Sequence, residues 1–196
     1  AANKAGKEEF LYVGVSKCKT KDYDGAIEAL EKAKSQGVSD KLLFYGLGNS
    51  LYQKGDYENA AANLSQAVSK GVDDQETLAN LGKSQYRLEN YEAAAITLKQ
   101  AEAAGAKDGE TYYFLGHAQY ESNDFEAAIS SLNSALSTDA NNGDAYYQRG
   151  NAKFRLKNYE SAISDYQSAI SNGARSPIIY NNLGKAQQLT EQYEAA

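Results

Sequence analysis

Two side chains in this sequence carry strongly reactive atoms, Cys18 and His117, and each is the single residue of its type. A thiol beside an imidazole makes a nucleophile activated by a base. A histidine grouped with cysteines or carboxylates at fixed spacing makes a metal site. The chain has no such metal-ligand spacing, no phosphate-cradling loop and no nucleophile elbow. Lys83 and Arg87 offer a different chemistry: four residues apart, they share one helix face and suit a carboxylate. The remaining polar recognition groups are asparagines, which pair with both the N–H and the C=O of an extended peptide. Beside them stand 16 tyrosines, each a large contact surface with a polar tip.

The elements that position these groups follow from a repeat. Gly14, Gly48, Gly82, Gly116, Gly150 and Gly184 are spaced 34 residues apart. An aromatic follows each glycine nine residues later: Tyr23, Tyr57, Tyr91, Phe125, Tyr159 and Tyr193. Alanine follows at twelve residues (Ala26, Ala60, Ala94, Ala128, Ala162, Ala196) and again at nineteen (Ala33, Ala67, Ala101, Ala135, Ala169). One proline in 196 residues suits long helices. In the second copy Phe44, Leu47, Gly48, Leu51 and Tyr52 form one helical stripe, and Tyr57, Ala60, Ala61, Leu64, Ala67 and Val68 form another. Gly55-Asp56 breaks the chain between them. Asp56 is placed to cap the second helix, with Glu58 in its first turn, and Asp22, Asn90, Asp124 and Asn158 take the same role. Gly37, Gly71, Gly105 and Gly173 stand where a left-handed residue ends the second helix, and Asp139 takes that place in the fourth copy. Each unit is therefore an antiparallel helix pair that stacks on its neighbours to bury its stripes. Cys18 and His117 lie in the first and fourth copies. Helices pack ~8–10 Å apart, so roughly 25 Å or more separates the two, and no Cys–His dyad is expected. An enzyme is not expected, nor is any cofactor.

These columns resemble the tetratricopeptide repeat family, whose pattern appears in the second copy as Phe44, Leu47, Gly48, Tyr52, Tyr57, Ala60, Leu64 and Ala67. The resemblance covers residues 7–196. It implies an all-α, right-handed superhelical solenoid of antiparallel helix pairs, with five full repeats at 7–40, 41–74, 75–108, 109–142 and 143–176 and a partial sixth at 177–196 that stops early in its second helix. Residues 1–6 read as the tail of a preceding repeat or a linker. The family's usual tryptophan is replaced by Phe10, Phe44, Leu78, Tyr112, Tyr146 and Tyr180. Its usual proline is replaced by Val38, Val72, Ala106, Ala140 and Ala174. Arg149 stands in a leucine column, which puts local packing there in question. Terminal repeats normally carry a polar capping helix. Neither end shows one, so a piece of a longer array is expected.

The resemblance further implies that the first helix of each pair lines a concave groove. Counting from the start of each copy, the second, fifth, sixth, ninth, twelfth and thirteenth positions face it. The candidate partner-binding residues are Tyr45, Asn49, Tyr52, Asn80, Lys83, Arg87, Tyr113, His117, Tyr120, Tyr147, Asn151 and Arg155. The aromatics at the twelfth position, Tyr52, Tyr86 and Tyr120, also have a packing role to fill, as does Cys18 in the same column. One subfamily clamps a chaperone's C-terminal carboxylate with two asparagines and three basic residues. Asn49 and Asn80 match the asparagines, but Tyr45, Glu110 and Phe114 occupy the basic places, so no such clamp is expected.

Net charge is −6 with a pI near 4.9, which lacks the electrostatic footprint of a nucleic-acid binder. No apolar run approaches the ~18 residues that cross a bilayer, so no membrane insertion is expected. No signal peptide is visible, although the chain does not start with Met. A single Cys18 fits a reducing compartment without requiring one. A soluble chain of the cytoplasm or periplasm is expected. The leading reading is a scaffold that binds a protein or peptide partner in the groove. The alternative is an architectural subunit of a large assembly that self-associates through uncapped ends or bridges other subunits.

Overall fold

Aspartate or asparagine stands immediately before most of the helices, and in this computed structural model those residues begin them. The structure describes the backbone of residues 2–194 and the side chains of residues 8–191. Among the described residues there are eleven helices and no strand: α1 Ala2–Lys19, α2 Tyr23–Ser35, α3 Lys41–Lys54, α4 Tyr57–Ser69, α5 Gln75–Arg87, α6 Tyr91–Ala103, α7 Gly109–Glu121, α8 Phe125–Thr138, α9 Gly143–Arg155, α10 Tyr159–Ser171 and α11 Pro177–Glu194. They divide into two compact units, Ala1–Ala106 and Lys107–Ala196. None of the described helices is long and apolar enough to cross a membrane.

Capping explains the starts. The Asp40, Asp74, Asp108 and Asn142 side chains accept backbone N–H bonds in the first turns of α3, α5, α7 and α9. Asp22, Asp56 and Asp124 do the same for α2, α4 and α8. Asn90 and Asn158 depart from expectation: each sits at the cap without a side-chain bond. Their backbone carbonyls alone open α6 and α10, accepting from Ala94 at 2.9 Å and Ala162 at 3.0 Å.

The ends behave similarly, with one correction. Gly37, Gly71, Gly105 and Gly173 all have positive φ, from 84° to 108°. Each lets the following N–H reach back into the helix, as Val38 does to the Ala33 carbonyl at 3.1 Å. Asp139 occupies the equivalent place but is extended, with φ −139°. A Cβ makes the left-handed state costly there, so α8 closes through an Asp139 N–H bond to the Ala135 carbonyl. Between the paired helices Gly55 is left-handed, and Lys21, Glu89, Asn123 and Lys157 adopt the same state despite their side chains, with φ near 62°.

Two further differences concern the termini. α1 runs from Ala2 without interruption, so residues 2–6 continue the first helix. Gly6 precedes the first copy where Asp40 caps the second, and it supplies no side-chain acceptor. α11 likewise passes unbroken to Glu194. Glu191-Gln192 stand where Gly55-Asp56 breaks the second copy, and neither residue stops a helix.

Within a pair the glycine column sets the approach. A Cβ on Gly48 would lie 2.6 Å from Leu64 Cγ and 3.0 Å from the Leu64 backbone nitrogen, so α3 and α4 meet there only because the residue has no side chain. Gly82 and Gly116 repeat the geometry against Leu98 and Leu132. The described residues of the alanine columns and the leucines Leu30, Leu64, Leu98 and Leu132 are fully buried or nearly so, whereas Ala196 lies outside the described residues. Each such leucine removed from water contributes roughly 1.5–3 kcal/mol.

The stacking is asymmetric. In the first unit α1 touches α3 and α3 touches α5; in the second, α7 touches α9 and α9 touches α11. Among the described residues the second helices of successive repeats make no such contacts with one another. In both units the first helices crowd together on one side and the second helices spread apart on the other.

Candidate functional site

The twelve candidate residues fall on four first helices, α3 and α5 in one unit, α7 and α9 in the other. On α3 and α5 the Tyr45 hydroxyl donates to Glu76 Oε2 at 3.2 Å. Desolvation, then the Glu76 charge, pushes the Tyr45 phenol up to about 12. Asn80 Nδ2 donates to Asn49 Oδ1 at 3.0 Å across the two helices. The Asn49 donor, Nδ2, is buried without a partner. It influences the neighbouring Tyr45 oxygen but falls outside hydrogen-bonding geometry to it. Lys83, expected to present its ammonium beside Arg87, is only 6% exposed, whereas Arg87 is exposed and lies over the Tyr57 ring at 5.8 Å.

The twelfth-position aromatics pair internally. Tyr52 meets Tyr57 edge-on at 5.9 Å and Tyr86 meets Tyr91 at 5.5 Å. Tyr120 meets Phe125 at 5.6 Å and Phe154 meets Tyr159 at 5.4 Å. Each ring packs on the aromatic that opens the second helix, which is the packing role that column had to fill. Cys18, in the same column, lies 3.1 Å from the Ser50 hydroxyl and 3.5 Å from the Gly46 carbonyl. Burial pushes its thiol up, which keeps it in the unreactive protonated form.

In the second unit Tyr113, His117 and Tyr120 form an aromatic row along α7, with centroids 5.9 Å and 6.5 Å apart. His117 Nε2 sits 3.3 Å from Glu121 Oε1. Desolvation outweighs the opposing pull of Glu121 and Asp144 and lowers the imidazole pKa. On α9 Asn151 is engaged through both ends of its amide. Its Oδ1 accepts from Tyr166 Oη at 3.0 Å and Asn182 Nδ2 at 3.1 Å, and its Nδ2 donates to Gln148 Oε1 at 3.3 Å. Tyr147 packs on Tyr166 with centroids 6.1 Å apart. Arg155 lies over Phe125 at 4.4 Å and donates to Asn123 Oδ1 at 3.1 Å.

A charged cluster that sequence reasoning missed sits behind Asn151. Arg149 grips Asp165 with two bonds of 2.9 Å and 2.6 Å and donates a third to Asn133 Oδ1. Lys153 Nζ lies 2.7 Å from Asp165 Oδ2. Asp165 is only 3% exposed. The signal was available as a coordinated change. Where copy 3 has Leu81, Thr97 and Leu98, copy 5 has Arg149, Asp165 and Tyr166. Arg149 therefore does not leave a packing defect; it neutralises a buried carboxylate.

The sequence profile of the tetratricopeptide repeat family matches residues 45–109 and 113–196. No curated protein matches the chain. Among solved structures, YrrB, a TPR protein with an unusual peptide-binding site, superposes with a TM-score of 0.77 at 20% identity, over 92% of this chain and 97% of that one. MamA MSR-1 gives 0.73 at 20% identity, over 85% of this chain and 95% of that one. MamA AMB-1 gives 0.75 at 19% identity, over 85% and 98%. At such identities the likeness speaks for the fold.

Proposed function

Because the chain belongs to the tetratricopeptide repeat family, we propose that it is a non-catalytic interaction scaffold whose first helices hold a segment of a partner protein. The observation that carries this reading is the stacking asymmetry: α1, α3 and α5 in one unit, and α7, α9 and α11 in the other, touch across repeats while the second helices do not. Crowding on one side and spreading on the other gives each unit an inner surface made from first helices. That surface carries Tyr45, Tyr113, Tyr147 and His117, all half-buried, the exposure typical of aromatic anchors before a partner arrives. YrrB has a peptide-binding site on the same fold, which supports a polypeptide ligand. Net charge of −6 argues against nucleic acid.

Alanine in place of Tyr113 and Tyr147 tests the reading. Each truncation removes roughly 1–3 kcal/mol of contact at a buried hot spot, so capture of the partner from extract of the source organism should fall while helicity by circular dichroism is unchanged. Undiminished capture by the double variant would rule out α7 and α9 as the binding surface.

One observation favours a second reading, self-association. Ile178 and Tyr180 on α11 are 59% and 52% exposed, and Tyr12 and Val13 on α1 are 62% and 41% exposed. Apolar side chains so exposed suit a second copy. Light scattering across a concentration series separates the readings, since a constant monomer mass removes the second.

A further inference from the structure

The ring column has one gap. In four repeats the twelfth-position ring packs on the aromatic that opens the second helix, with centroids 5.4 to 5.9 Å apart. In the first repeat the twelfth position is Cys18. Tyr23, which opens α2, therefore makes no ring contact among the described residues. The place a ring would fill stands open. Cys18 and Tyr23 line a cleft of about 280 Å³ within the first unit, together with Val15 of α1 and Gly46 of α3. Gly46 trims the facing wall, since later copies carry Asn80, Phe114 and Gln148 at that position. An apolar cavity of about 150 Å³ already holds a benzene molecule, so this cleft has room for an aromatic side chain. Lys19 and Lys21 also line it. Both are exposed, and neither has an ion pair among the described residues.

We infer that this cleft is an aromatic-anchor subsite of the groove: a partner segment inserts a Phe, Tyr or Trp side chain beside Tyr23, where the column lacks its own ring, and an Asp or Glu next to that side chain meets Lys19 and Lys21. The inference rests on the groove reading above and adds a chemical class of partner to it. The inserted ring gains the contact that four other repeats make internally. It also leaves water for a cleft that is already formed, so little of the chain has to be ordered on binding. Two unpaired ammonium groups at one place favour acidic neighbours of the ring and repel basic ones.

Cys18 is the single cysteine of the chain and is half-buried at the cleft, so its rate of labelling by a thiol reagent reports on this place alone. The test pans a displayed library of random linear peptides on the full chain. The recovered peptides should share an aromatic residue with Asp or Glu beside it, and saturating peptide should slow the labelling of Cys18. Cys18→Phe supplies the chain's own ring and closes the cleft. It should weaken the same peptides about tenfold or more in fluorescence anisotropy, with helicity by circular dichroism unchanged. Labelling is read on the unaltered chain, so the test stands even where Cys18→Phe fails to fold. Peptides without a shared aromatic, or a labelling rate that saturating peptide leaves unchanged, would overturn the subsite. Weakening of those peptides by Tyr113→Ala with Tyr147→Ala would then leave the groove standing. Recovery of no peptide at all would remove both.

Discussion

Asp165 is held in the core of the fifth repeat by Arg149 and Lys153, and removing it alone strands both cations. Asp165→Ala should cost about 3–5 kcal/mol, the usual penalty for breaking a buried pair from one side. Replacing the whole set with its third-repeat counterparts, Arg149→Leu, Lys153→Gln, Asp165→Thr and Tyr166→Leu, should be neutral or stabilising by urea denaturation. A quadruple variant weaker than Asp165→Ala would show that the cluster does more than compensate itself. Strain is also local. Glu89 holds φ 61° in an exposed turn where Gly55 does the same work without a Cβ, so Glu89→Gly should raise stability by about 0.5–1 kcal/mol. Tyr45 gives a pH signature. Its phenol is neutral in the folded state up to about 12, above the ~10 of an unfolded chain. The unfolded state therefore loses its proton first, and the Tyr45 contribution to stability is complete below about pH 10 and lost as pH rises toward 12. Phenolate absorbance should show two late-titrating tyrosines, Tyr45 and the buried Tyr166, and Tyr45→Phe should remove one of them.

At the scale of helices, the glycine column yields a prediction whose sign changes along it. Gly48 abuts Leu64, so Gly48→Ala forces α3 from α4 and should cost about 1–3 kcal/mol. Gly184 occupies the same column, but among the described residues a Cβ there meets nothing within 4 Å. Gly184→Ala should therefore stabilise by about 0.5–1 kcal/mol through helix propensity. Thermal melts of the two variants, moving in opposite directions, check the claim that the column exists for close approach. The helix pairs were legible in the sequence because their causes are local: a break, a cap, a small residue against a leucine. Where the reading departed from the structure, a local rule lacked its local residue. Asp139 was placed by alignment with Gly37 but has a Cβ that resists the left-handed state. The second helix expected at the end of the sixth copy needs a break at Glu191-Gln192, and that pair contains no breaker. The Asp165 cluster was illegible for a different reason, since its members face one another only once two helices are packed.

Across the molecule, candidate groove residues were chosen by helical spacing, and spacing says which face a side chain is on but not whether neighbours have already engaged it. Tyr52, Tyr120 and Asn151 share that face with Tyr113 and Tyr147, yet the first two pack on second-helix aromatics and Asn151 is already bonded to Tyr166, Asn182 and Gln148. The account narrows to the claim that a partner meets first helices and not second ones. Photo-crosslinking of the full chain to its partner tests this most directly, with the reactive residue at Gln53 or Glu121 on first helices and, in parallel, at Ile96 or Ser130 on second helices, all four exposed. Adducts from Gln53 and Glu121 with none from Ile96 and Ser130 are the expected result. Adducts only from Ile96 and Ser130 would contradict the account.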